Sequence, residues 1–178
     1  MIILVVIASL YRIIPDRPYG FAPQWAMAIF AGAVIKDKKW ALIVPILSLF
    51  ISDLLYQVLY LSGLSTIQGF YEGQWQNYIL FGLLSFVGMA IKKINVVNVF
   101  IASLAAPTIY FLLSNFILWA GTGTRGFGRP KTFDGLLLCY NDGLPFYRTS
   151  LIATIIFSSI IFGAYYLVKR SSAKTLVA

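Results

Sequence analysis

Residues 96 to 120 read VVNVFIASLAAPTIYFLLSNFILWA, 25 positions without one charged side chain. A helix crosses the hydrocarbon core of a bilayer with about 20 predominantly apolar residues. A soluble fold would have to bury such a run completely, and only 178 residues are available to surround it. Charged residues make up 11% of the chain, less than half of the roughly 25% that soluble domains carry. The sequence therefore predicts that most of this protein is solvated by lipid.

Read for apolar length, the chain divides into six segments: 2–14, 22–35, 40–60, 75–91, 96–120 and 150–169. The predicted fold is all-α, a polytopic bundle of six transmembrane helices in a single membrane domain, 1–178. The first segment lacks a basic start and a small-residue cleavage site, and is read as retained. The basic clusters KDKK (36–39), KK (92–93) and KRSSAK (169–174) follow the second, fourth and sixth segments. Strict alternation puts all three on one side, which the positive-inside rule makes the cytoplasm. Both termini are then cytoplasmic. A long outer connection, 121–149, holds four basic residues, in tension with that rule.

The net charge of +8 comes mostly from residues flanking apolar runs, which argues for membrane topology and against nucleic acid. One cysteine and no histidine exclude intramolecular disulfides, Cys/His zinc clusters and a Ser-His-Asp triad. No phosphate-binding GxxxxGK[ST] is present, and GTGTRGFG neither follows a strand nor opens a helix. Asp53 with Lys131 or Tyr140 could do acid–base work, but no second membrane carboxylate supports it. The expectation is a protein that is not an enzyme, with no catalytic residues, cofactor or metal.

Asp53 interrupts the run LSLFISDLLYQVLY (47–60). Thirteen residues beyond Trp40 it has climbed about 20 Å, into the outer half of a core about 30 Å thick. A carboxylate facing lipid there costs roughly 2.5–3.5 kcal/mol on insertion scales. It should face the interior, a wet cavity or a cation. The outer-side cations are Arg12, Arg17, Arg125, Arg129, Lys131 and Arg148, and Arg12 stands out because it too lies inside an apolar run. Asp53 is then either a structural ion pair or a polar wall of an outward-open cavity.

Other features share that outer focus. Asn115 and Trp119 are four apart, on one helical face; they are either a cavity wall or an interhelical bond plus an interfacial anchor. In GRPKTFDGLLLCYNDGLPFYR the LLLCY core is too apolar for a free loop, so 133–140 is predicted as a short helix or re-entrant piece folded back as a lid. Cys139 reads as a small buried hydrophobe. Ala22, Ala26, Ala28 and Gly32 form small-residue faces that allow close helix approach, either inside the bundle or against a partner membrane protein.

The stretch RIIPDRPYGFAPQWAMAIFAGAVIKDKKWALIVPILSLFISDLLY, with SNFILW and PKTFDGLLLCYNDGLPFYR, resembles an uncharacterised bacterial integral-membrane family. The chain departs from its pattern at DRPYGFAP. That family in turn resembles the S components of energy-coupling-factor vitamin transporters in helix number, size, small-residue helix and outer polar focus. The resemblance implies a bacterial inner-membrane subunit that binds a small solute in an outer cavity and docks on a transmembrane coupling subunit, with ATPases on other chains. On this reading Arg12, Asp53, Asn115, Trp119, Lys131 and Tyr140 line or close the cavity, and Ala22, Ala26, Ala28 and Gly32 dock the partner. The alternative is an accessory or scaffold subunit of a larger membrane complex, in which these polar residues only join helices.

Overall fold

A computed structural model describes residues 1–121 and 129–175, with side chains to 171. Arg125 and the side chain of Lys174 lie outside the described residues. The fold is all-α, with six helices: α1 (Ile2–Arg12), α2 (Gln24–Val34), α3 (Lys38–Leu61), α4 (Trp75–Met89), α5 (Val96–Ala120) and α6 (Phe133–Thr175).

Helix ends follow local chemistry. The Asp37 carboxylate accepts from Lys39 N at 2.9 Å and starts α3. The Asn95 amide oxygen accepts from Asn98 N at 2.8 Å and starts α5. Each satisfies a backbone N–H that the first helical turn leaves without a partner. After α1, Pro15 and Pro18 bracket Asp16, whose φ of 58° turns the chain away from helix.

Three helices, α3, α5 and α6, are long and apolar enough to cross a membrane. Their outer faces are unburied leucine, isoleucine and phenylalanine, such as Ile43, Phe100 and Ile156. The six full-length crossings expected from sequence are not what these helices supply. The α1 and α2 helices have 11 residues each, about 16 Å of rise, half of a core about 30 Å thick. The α4 helix has 15 residues. Each apolar segment overran its helix by only two or three residues, with Pro15 following α1 and Pro23 capping the start of α2.

The short α2 is the axis of the bundle. It packs on each of the other five helices, and Trp25, Ile29 and Phe30 from it meet Leu49, Phe81, Leu84, Ala102 and Phe162 in the core. It runs parallel to α4, with Trp25 beside Phe81 at one end (ring centroids 5.2 Å apart) and Gly32 beside Gly88 at the other. A Cβ on Gly32 would lie 2.0 Å from Ser85 O, and one on Gly88 2.0 Å from Ile29 O. This settles the fate of the small-residue faces. Ala22, Ala26, Ala28 and Gly32 are buried inside the chain, so they do not present a docking face for a partner helix. Their small size lets the central helix sit against its neighbours without side chains in between.

The α6 helix corrects a second expectation. The connection drawn as a loop from 121 to 149 is helical from Phe133 onward, continuous through Pro145. Residues 133–140 are not a separate folded-back lid. They are the first turns of α6, laid along the end of α5. Cys139 is buried there, and Tyr140 packs on Phe111 with centroids 5.5 Å apart. Within LLLCY, Cys139 is buried and Leu136 and Tyr140 are half-buried, while Leu137 and Leu138 stay exposed. Pro145 removes one backbone donor from the ladder, and the helix continues through it.

Candidate functional site

The one aspartate of α3 meets the end of α1 and the start of α4. Asp53 is 2% exposed, and both its oxygens are engaged. Arg12 Nη1 forms an ion pair with Oδ1 and also donates to Ser52 Oγ at 2.7 Å. Gln74 Nε2 and the Tyr78 hydroxyl both donate to Oδ2, the latter at 2.9 Å. Tyr56 donates its hydroxyl to the Arg12 carbonyl, and its ring lies 5.5 Å under the guanidinium. A carboxylate in an apolar bundle thus receives a cation and two neutral donors, which is what its burial demands.

Gln74 reaches Asp53 because the 62–74 connection folds back on α3. Its Gly69 backbone lies so near that a Cβ would come within 1.9 Å of Asp53 O. Phe70 N donates to Gln57 Oε1 at 3.2 Å, and Tyr71 N donates to Gln74 Oε1 at 3.1 Å, which orients the amide. The 13–23 connection is held from the other side. Arg17 donates to the carbonyls of Arg12 and Phe21. Gly20 (φ 81°) presses on α6, where a Cβ would meet Ser150 Oγ at 2.7 Å.

These two connections enclose a cavity of about 370 Å³, within the range usual for small-molecule sites. Its floor is a cluster of three rings, Trp25, Phe81 and Tyr110, with centroids 5.2 to 5.7 Å apart. Arg12, Arg17 and Asp53 are the charged residues of its wall. Asn77 accepts from Tyr110 OH at 2.8 Å and donates to Tyr71 OH at 2.6 Å. Gln24 donates to Ala8 O at 3.0 Å, but its Oε1 and the indole nitrogen of Trp25 are buried without a partner among the described residues. The exposed rings of Tyr19 and Phe146 touch edge to face, 6.3 Å apart, and both border the cavity.

Of the six residues expected at the site, Arg12 and Asp53 line this cavity together. Asn115 lines a neighbouring one of about 200 Å³ between α5 and α6, which shares Tyr110 and Phe146 with the first. Trp119, Lys131 and Tyr140 line neither and instead brace the α5–α6 junction. Lys131 Nζ binds the carbonyls of Trp119 and Gly121, and Trp119 donates to Pro130 O at 2.9 Å. Tyr140 donates to Leu112 O at 3.1 Å. A helix C-terminus leaves carbonyls unpaired, and the lysine satisfies them there. Arg129 pairs with Asp142, not with Asp53.

Sequence reasoning missed Gln24, Trp25, Gln74, Asn77, Tyr78 and Tyr110 as cavity or network residues. A signal existed for some. Gln24 is an amide at the start of an apolar run, and Gln74, Asn77 and Tyr78 are spaced three and four apart, hence on one helical face.

Fold and site together define an all-helical protein with three helices fit to cross a membrane and a polar-walled, aromatic-floored cavity at one end of the bundle. The chain belongs to DUF6580, a family of unknown function, whose family model matches residues 1–176. No curated protein and no solved structure matches it.

Proposed function

We propose that this protein is a solute-binding subunit of the bacterial inner membrane, similar in kind to the S components of energy-coupling-factor transporters. The observation that carries the reading is the cavity of about 370 Å³ beside the Arg12–Asp53 pair. Polar groups at membrane depth are costly and are concentrated where a pathway or ligand needs them. Here they converge on one partly open cavity. The basic clusters at 36–39 and 92–93 follow α2 and α4, and Lys169 and Arg170 lie in the last turns of α6. The positive-inside rule puts that end in the cytoplasm, so the cavity faces outward and both termini face inward. In this arrangement all six helices take part in crossing, the short ones buried among the long ones, where irregular backbone at membrane depth is tolerated. Energy for uptake comes from other chains or from the solute gradient.

The test is mass spectrometry of small molecules that co-purify with the protein in mild detergent, compared with an Ala22→Phe variant. Ala22 lines the cavity, and a phenylalanine there fills it. The expected result is a compound enriched with the wild-type protein and lost from a variant that remains folded by circular dichroism. Identical small-molecule content in the two would sink the reading.

One observation favours the second reading, an accessory or scaffold subunit. The small-residue faces that would have docked a coupling partner are buried within the chain, which removes one support for the transporter analogy. A stoichiometric membrane partner recovered from native membranes, with no bound solute, is the outcome that favours it.

A further inference from the structure

We infer that the cavity takes a small organic monoanion with a flat, apolar body, a carboxylate on an aromatic frame being the simplest case. This rests on the solute-binding reading and specifies its ligand.

The charge comes first. Two guanidiniums and one carboxylate, Arg12, Arg17 and Asp53, are the ionised groups in the wall. Asp53 and Arg12 are spent on each other. Arg17 donates only to backbone carbonyls, and among the described residues no carboxylate pairs with it. The wall therefore carries one net positive charge next to a low-dielectric bundle. A cation so placed draws an anion of equal charge, and a guanidinium fork matches a carboxylate. A cationic ligand would meet Arg17 with Asp53 already saturated on both oxygens.

The body of the ligand follows from the floor. Trp25, Phe81 and Tyr110 form an aromatic corner whose rings are inclined to one another by 54° to 82°, so a planar group can stack on one ring and meet another edge to face. Gln24 and Trp25, both buried, keep one acceptor and one donor without partners among the described residues at the same wall. Unpaired buried polar atoms are rare and costly, and a ligand with an N–H or ring nitrogen would satisfy them. A lipid acyl carboxylate shares the charge but not the flatness, so the two sources are separable by experiment.

The full-length protein in detergent micelles, at neutral pH, is titrated by calorimetry with 2-naphthoate, 2-naphthamide, 2-naphthylmethylammonium and decanoate. The expected order places 2-naphthoate about tenfold or more below the amide in Kd, the worth of one charge-assisted hydrogen-bonded pair, with decanoate weaker than naphthoate and no binding of the ammonium compound. Arg17→Gln should erase the acid-over-amide preference, while Arg17→Lys, which keeps the charge, should retain most of it. Thermal unfolding of both variants checks that the 13–23 connection remains seated. Equal or tighter binding of the amide or the ammonium compound overturns the anion assignment and leaves solute binding standing. Tighter binding of decanoate assigns the cavity to an acyl chain and overturns the flat-body claim. No binding of any of the four overturns the ligand class, and the solute-binding reading then stands or falls on the comparison of co-purifying compounds with the Ala22→Phe variant.

Discussion

Arg12 and Asp53 lie 41 positions apart in the chain and are joined by an ion pair that ties the end of α1 to the middle of α3. The partners are unequal. Asp53 is 2% exposed and Arg12 is 23% exposed, so the arginine can reach water and the carboxylate cannot. Arg12→Met strands a buried charge and should cost about 3–5 kcal/mol. Asp53→Asn frees a cation that can resolvate and should cost less, about 1.5–3 kcal/mol. The double variant Arg12→Met with Asp53→Leu should recover part of the loss. Unfolding midpoints in mild detergent measure all three. Additive losses in the double variant would show that the two residues do not act as a pair.

Gly32 and Gly88 test the burial of the small-residue face. Gly32→Leu should prevent the isolated protein from folding, because a Cβ alone already overlaps the α4 backbone. Even Gly32→Ala should cost roughly 1–3 kcal/mol through overpacking. Gly163, on α6, has open space around its missing Cβ, and Gly163→Ala should stabilise by up to about 1 kcal/mol from helix propensity. Circular dichroism and thermal scans separate these outcomes. A folded, monodisperse Gly32→Leu protein would return this face to the surface.

Gly69→Ala should act at a distance on Asp53. The added methyl would strike the α3 backbone at Asp53 and Gln57 and lift the 62–74 connection, withdrawing Gln74 from Oδ2. The expected result is a stability loss of about 1–3 kcal/mol, matched by Gln74→Ala and not increased when the two changes are combined. Additivity of the two losses, read from denaturation curves, would disconnect the glycine from the network.

Orientation can be read by labelling. In a Cys139→Ser background, Ser62→Cys in the connection after α3 should react with a membrane-impermeant maleimide added to intact cells. Lys36→Cys and Lys92→Cys should react only after the membrane is opened. The reverse pattern would place the basic clusters outside and the cavity toward the cytoplasm.

Much was decided by free energies that belong to single residues or single segments. An uncharged run of 25 residues has to be an apolar helix, and α5 is one, at 96–120. A lone carboxylate in such surroundings has to find a cation, and Arg12, the one cation sharing an apolar run at the same end, is its partner. Helix caps at Asp37 and Asn95 are equally local.

The tertiary structure decided which faces meet. In water, a helix declares its buried side by contrast between apolar and polar residues. In this chain the outward-facing and the core-facing sides of the long helices are both apolar, so that contrast disappears. Ala28 looked as fit for a partner as for the core, and only the seating of α2 at the centre of the bundle put it inside. The same holds for LLLCY, apolar enough for a lid, whose place along α5 depends on the surface that α5 offers. The cavity is further still from the sequence. Its wall comes from two connections, at Arg17 and Gln74, and from all six helices. Their convergence rests on backbone approaches at Gly20, Gly69 and Gly32 that no single segment's hydrophobicity records.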